Sequence, residues 1–74
     1  GKIMDQQFCR TLLPLVNDSL QYSSLKDYAK ARIVYYHGLL ETAKEHQRIM
    51  EIQGAISELK RIETLRDEVT KGAE

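Results

Sequence analysis

The chain has 74 residues, with 11 basic and 11 acidic side chains and no net charge. This length allows one domain with a small core, which buries only about 60% of the surface that the unfolded chain exposes. Zero net charge argues against a dedicated nucleic-acid-binding protein, whose affinity comes mostly from an excess of Lys and Arg. Chains this small usually gain stability from disulfides, a metal or oligomerisation.

The composition also bears on the compartment. Cys9 is the only cysteine, so no internal disulfide can form, and a reducing compartment such as the cytoplasm is expected. No apolar run approaches the 18 residues of a transmembrane helix, and no signal-peptide pattern opens the chain. We expect one helical domain over residues 1–74, with residues 1–3, ahead of Met4, as a tag remnant.

The first predicted helix covers residues 5–22. Asp5 is a suitable N-cap, and a broad apolar stripe follows it at helical spacing. Pro14 lies inside this stripe, where it removes one backbone hydrogen bond and clashes with the preceding turn. Because the stripe continues on both sides of Pro14, the sequence predicts a helix kinked at this residue. The stripe consists of Phe8, Leu12, Leu13, Leu15, Val16 and Leu20.

The second predicted helix covers residues 25–71. Ser24 is followed three residues later by Asp27, an acidic variant of the capping box, which places the helix start at Leu25. Single glycines inside the helix each cost about 1 kcal/mol relative to Ala, but no turn residues flank them. We therefore expect one continuous helix that ends at Gly72 as a C-cap.

These lengths predict an all-α fold in which a short N-terminal helix packs on a long C-terminal helix as a helical hairpin. At 1.5 Å per residue the second helix would run roughly 70 Å and the first about 27 Å. The far end of the long helix would then lack an intramolecular partner. Its apolar stripe would forfeit on the order of 10 kcal/mol in water.

The uncovered stripe recurs at steps of three or four residues along residues 49–69, and it is the predicted self-association surface of a coiled-coil-like homo-oligomer, a dimer or higher. A rival interpretation breaks the long helix at Gly38 or within residues 44–48, where the stripe weakens, and folds it back as a compact three-helix monomer. The stripe consists of Ile49, Ile52, Ile56, Leu59, Ile62, Leu65 and Val69.

Small residues interrupt this stripe at Gly54 and Ala55. They would let a partner helix approach closely, so they are the candidate for a close helix crossing. The alternative is a tolerated surface glycine.

The chain's aromatic and basic residues cluster between residues 26 and 37. Lys26, Lys30, Arg32 and Tyr35 could contact nucleic acid, with the bases holding phosphates and the aromatic ring stacking on a nucleobase. The alternative, which we favour, is that the tyrosines of this segment border the face on which the first helix packs.

Chemistry-bearing motifs are not evident in the sequence. His37 and His46 are nine residues apart, which is no metal-pair spacing, and no Cys or carboxylate completes a ligand set. Cys9 without a neighbouring histidine is typical of a small packed residue. We therefore predict no enzyme, no catalytic residue, no metal and no cofactor.

Residues 33–69 resemble the small helical proteins, mostly uncharacterised, that are encoded among the structural genes of tailed bacteriophages. The shared features are an apolar-aromatic start of a long helix, a QG-x-I-x-E-L step at residues 53–59, and a charged leucine-type tail. The resemblance supplies no catalytic residues. It implies a virion-assembly or host-interaction accessory that acts in the host cytoplasm or in the particle.

The sequence therefore predicts a non-enzymatic helical oligomerisation or adaptor protein, with copies of itself and another phage or host protein as partners and no membrane. Two alternatives stay open. One is a small dimeric regulator that binds nucleic acid through residues 26–37. The other is an inhibitor that is monomeric alone and docks its stripe on a host protein.

Overall fold

A computed structural model describes residues 4–74, which form four α-helices and no strand. The helices are α1 (Gln6–Val16), α2 (Ser19–Thr42), α3 (His46–Glu63) and α4 (Leu65–Ala73). The expected tag remnant at residues 1–3 lies outside the described residues. The all-α prediction is confirmed.

The chain reverses once, at residues 43–45, so that the four helices form a bent hairpin. Helix α2 packs along α3, and α1 packs along α4. The Cα atoms span 44 × 31 × 13 Å. Two packed helices, with axes 8–10 Å apart and Cα radii of about 2.3 Å, span about 13–15 Å. The shortest dimension therefore holds two helices and no third layer.

Both arms of the hairpin bend at the same level, and Tyr22 joins the two bends. Its hydroxyl donates to the carbonyl of Ile62 at 2.6 Å and accepts from the amide of Arg66 at 3.2 Å. In a continuous α-helix this carbonyl and this amide would bond each other. The inserted hydroxyl replaces that bond, which is a recognised cause of a sharp bend, and α3 ends one residue before Thr64.

The predicted arrangement of a short helix on one long helix is wrong. Residues 25–71 are not continuous but are divided by the reversal at residues 43–45 and by the bend at Thr64. The physical reason is tertiary: folding back buries Ile52 and Ile56, at about 1.5–3 kcal/mol for each side chain. The reversal overlaps residues 44–48, one of the two positions at which the rival interpretation broke the helix; the other, Gly38, lies inside α2.

Of the two predicted helix starts, the first is confirmed and the second is wrong. Asp5 is the N-cap of α1, as expected, and its carboxylate accepts from the amide of Phe8 at 2.8 Å. The predicted start at Leu25 is wrong, because Asp18 caps α2 and accepts from the amide of Gln21 at 2.9 Å. Ser24 lies inside α2. The first helix also ends at Val16, two residues after Pro14, instead of at residue 22.

Gly72 does not cap a helix. It lies inside α4, and none of the glycines in the described residues has a positive φ. A Cβ atom at this position would overlap the Sγ atom of Cys9 and stand 3.4 Å from its Cβ. The glycine therefore allows α1 and α4 to approach closely.

The two bends, at residues 17–18 and at Thr64, together with Tyr22 between them, are called the elbow. The core lies between α1 and α4 and extends to the elbow. Cys9, Val16, Tyr22 and Val69 form one buried cluster, which Met4, Leu12, Leu13, Leu25, Leu65 and Ala73 border. Cys9 is completely buried, which confirms its prediction as a packed residue. Few residues are fully buried, since each helix has one main packing partner.

Candidate interaction surfaces

The predicted self-association stripe is divided between two helix pairs. Ile52 and Ile56 are buried within the chain, and Val69 is buried in the cluster against α1. The other four members are half-buried: Ile49, Leu59, Ile62 and Leu65. The premise of a long uncovered helix is therefore wrong, although self-association itself stays a prediction. Any such contact has to use what the hairpin leaves exposed.

Two of the half-buried members lie in a groove beside the elbow. Ile62 and Leu65 line this groove, which has a volume of about 300 Å³, together with Met4, Glu58, Arg61 and Glu68. The guanidinium of Arg61 lies 2.9 Å from the carboxylate of Glu68, and it bridges the bend between α3 and α4. The groove is therefore lined both by apolar side chains and by a charged pair.

The candidate close crossing at Gly54 and Ala55 is not used by any helix within residues 4–74. Nothing lies within 4 Å of the position that a Cβ atom would occupy at Gly54, and Ala55 is half-buried. The close approach of two helices occurs at Gly72 instead. Sequence reasoning missed it because Gly72 stands near the helix end, where a glycine usually acts as a cap.

The four candidate nucleic-acid contacts do not form one patch. Lys30 and Arg32 lie about 160° apart around α2 at 3.6 residues per turn, with Lys26 near the former and Tyr35 near the latter. The cations also have aromatic partners. Lys26 lies 4.8 Å from the ring centre of Tyr22, and Arg32 lies 4.9 Å from that of Tyr35.

Helix α2 carries a second apolar face that sequence reasoning did not single out. One side of α2 packs on α3, and large side chains on the opposite side are exposed. Leu20 is 79% exposed, Val34 71%, Tyr28 60% and Tyr35 53%. Ala31 and Gly38 lie between them, also exposed. These six residues are called the outer face of α2: Leu20, Tyr28, Ala31, Val34, Tyr35 and Gly38.

The sequence did contain a signal for this face. Within residues 20–40, large apolar side chains occur on two opposite sides of a helix with polar residues between them, so packing on one side leaves the other side in water. The hairpin covers only one side of α2. The signal was obscured because the more regular stripe of residues 49–69 suggested that the uncovered surface lay there.

Chemistry-bearing clusters are not found in residues 4–74. No three His, Cys, Asp or Glu side chains stand together as potential metal ligands. His37 and His46 are both exposed, one in α2 and one at the start of α3. Across this part of the chain, no helix is long and apolar enough to cross a membrane.

Comparison of the chain with family models, with curated proteins and with solved structures found no match in any of the three. The resemblance of residues 33–69 to phage proteins therefore stays a prediction, and the function has to be argued from the surfaces.

Proposed function

We propose that this protein is a non-enzymatic helical module that works by association, with copies of itself and through them with other proteins of a larger assembly. The observation that carries the proposal is the open architecture. The Cα radius of gyration is 14.8 Å, whereas a compact domain of this length has about 11 Å. The chain folds without a third layer to cover its helices.

The exposed apolar side chains support the same proposal. The outer face of α2 presents two aliphatic and two tyrosine side chains that are more than half exposed. Tyrosine is enriched at protein interfaces because it combines a large apolar ring with a polar end. A protein-protein contact would remove these side chains from water, and this is the main favourable term in most associations.

The biological setting follows from the resemblance and from the cysteine. An accessory of virion assembly or of host interaction agrees with a small helical module that works by association. The single thiol, buried and unpaired, suits the reducing cytoplasm. The neighbouring genes in the source genome would test the phage assignment.

Solution mass tests the association directly. The protein should show a weight-average mass above the 8.6 kDa of one chain at tens of micromolar in light scattering after gel filtration. This mass should fall on dilution, because the association is reversible. A mass of one chain at every concentration up to a millimolar would overturn the proposal.

A further inference from the structure

Within residues 4–74, the four large side chains of the outer face of α2 all stay more than half exposed. This face lies opposite the side that packs on α3, so the hairpin cannot cover it without unfolding. Among the described residues, nothing lies within 4 Å of a Cβ atom built at Gly38, so the glycine is not needed for a close helix contact there. It costs the helix about 1 kcal/mol relative to Ala. Close approach of another helix would use the space that Gly38 leaves.

The charges of this face are self-complementary: around the helix Asp27 lies within the face, between Val34 and Ala31, and Lys30 lies at its edge. Asp27 and Lys30 are exposed, and neither forms an ion pair with another of the described residues. The midpoint between them in the sequence nearly coincides with the midpoint of the outer face, which runs from Leu20 to Gly38. A second α2 laid antiparallel across the face with full overlap would therefore place each Asp27 opposite the other copy's Lys30.

This coincidence distinguishes a second copy from an unrelated helix. A two-fold interface requires that residue i of one copy meets residue j of the other, and that j meets i in return. In the antiparallel register, Asp27 of each copy meets Lys30 of the other copy, so the same contact forms twice. An unrelated partner would need no such relation between the two charges and the centre of the apolar face.

The available area is sufficient for a weak dimer. The exposed parts of the four large side chains amount to roughly 500 Å² per copy, given typical side-chain areas. Two copies would then bury about 1,000 Å², which is the lower end for a specific interface.

We infer that the outer face of α2 is a dimerisation surface, on which α2 of a second copy packs antiparallel with Asp27 opposite Lys30 on both sides of the two-fold axis. This inference rests on the proposed function and names the surface that carries it.

The first test places a charge inside the contact. Val34→Glu should weaken the dimer by about a hundredfold, because each copy would bury a carboxylate within the apolar contact. The matched control is Met50→Glu, which adds the same charge at an exposed apolar residue of α3 and should leave the dimer intact. Far-UV circular dichroism of both variants should match that of the original protein, since both side chains are exposed.

The second test uses charge exchange. Asp27→Lys alone and Lys30→Glu alone should each weaken the homodimer about tenfold, because like charges would then face each other twice. An equimolar mixture of the two variants should dimerise again, since every contact in the mixed dimer joins opposite charges. The double variant D27K/K30E should also recover the dimer.

The outcomes separate this inference from the proposed function. If the original protein associates and Val34→Glu associates equally well, the outer face of α2 is not the surface, although the protein is still an association module. If the mixture of charge variants fails to recover, the antiparallel register is wrong. A protein that is monomeric at every concentration overturns both the surface and the proposed function.

Discussion

The two helix pairs of the hairpin differ in how they are held together. The α1–α4 pair consists of helices of 11 and 9 residues, yet Cys9, Val16 and Val69 are all fully buried there. Side chains of α1 also close the end of α4, because Gln6 and Arg10 donate to the carbonyls of Glu74 and Ala73 at 2.9 and 3.2 Å. The two helices of this short pair, α1 and α4, therefore cover each other's buried side chains and are hydrogen-bonded at the end of α4.

The α2–α3 pair is longer and more open. Its helices have 24 and 18 residues, but beyond the elbow only Ala29, Ile52 and Ile56 are buried along them. Much of its apolar surface is half-buried between the two helices or exposed on the outer face of α2. The short pair, α1 and α4, therefore has the more closed core, whereas the long pair, α2 and α3, leaves more apolar surface in water, and this is the surface that the proposed association would use.

The largest expected effect tests whether α2 and α3, the long pair, pack on each other although few of their side chains are fully buried. Ile52→Ala should lower the free energy of unfolding by about 2–5 kcal/mol, because it removes a fully buried side chain and leaves a cavity. Urea denaturation followed by circular dichroism measures the change. Met50→Ala is the control, since Met50 is exposed two residues earlier and should have little effect. Equal effects from both would mean that α3 does not pack on α2.

The next effect concerns the close approach in the short pair. Gly72→Ala should destabilise the protein by about 1–3 kcal/mol, because the added methyl group overlaps the buried Sγ atom of Cys9. Gly54→Ala is the matched control and should have the opposite sign, up to about 1 kcal/mol stabilising, since nothing lies near that position. Stabilisation by Gly72→Ala would show that α1 and α4 are farther apart than described.

The glycines also show what local reasoning could and could not predict. A glycine near a helix end has the same local sequence whether it caps the helix or admits a neighbouring helix. Only the position of Cys9, 63 residues earlier in the chain, distinguishes the two roles of Gly72. Asp5 was predicted correctly because its cap depends on an amide three residues away.

The two breaks in the predicted helices differ in this respect. Asp18, followed three residues later by Gln21, fits the capping pattern at least as well as Ser24 followed by Asp27, and α2 begins at Ser19 with Asp18 as its N-cap, so the sequence did mark this start. The reversal at residues 43–45 contains neither Gly nor Pro, so no turn signal marks it. The all-α class follows from composition and periodicity, whereas the hairpin depends on which stripe of one helix meets which stripe of another.

A smaller effect is expected at the elbow, which joins the two pairs. Tyr22→Phe should lower the free energy of unfolding by about 1–2 kcal/mol, because it removes the hydroxyl between the Ile62 carbonyl and the Arg66 amide. The loss stays modest if these two groups bond each other again in a straighter helix. Tyr28→Phe is the control, at a concentration where the protein is monomeric, since Tyr28 is exposed. An unchanged stability in Tyr22→Phe would remove the hydroxyl as the cause of the bend.

The smallest effect concerns the ion pair across the same bend. Arg61→Ala should cost about 0.5 kcal/mol at low salt, since Arg61 is largely exposed and surface ion pairs contribute little. Salt should reduce the difference between the variant and the original protein, because screening weakens the Arg61–Glu68 contact. Lys60→Ala, at an exposed neighbour, should show neither the loss nor the salt dependence. If Arg61→Ala instead costs as much as Tyr22→Phe and does so at every salt concentration, then the bend is held by charge and the buried hydroxyl is secondary.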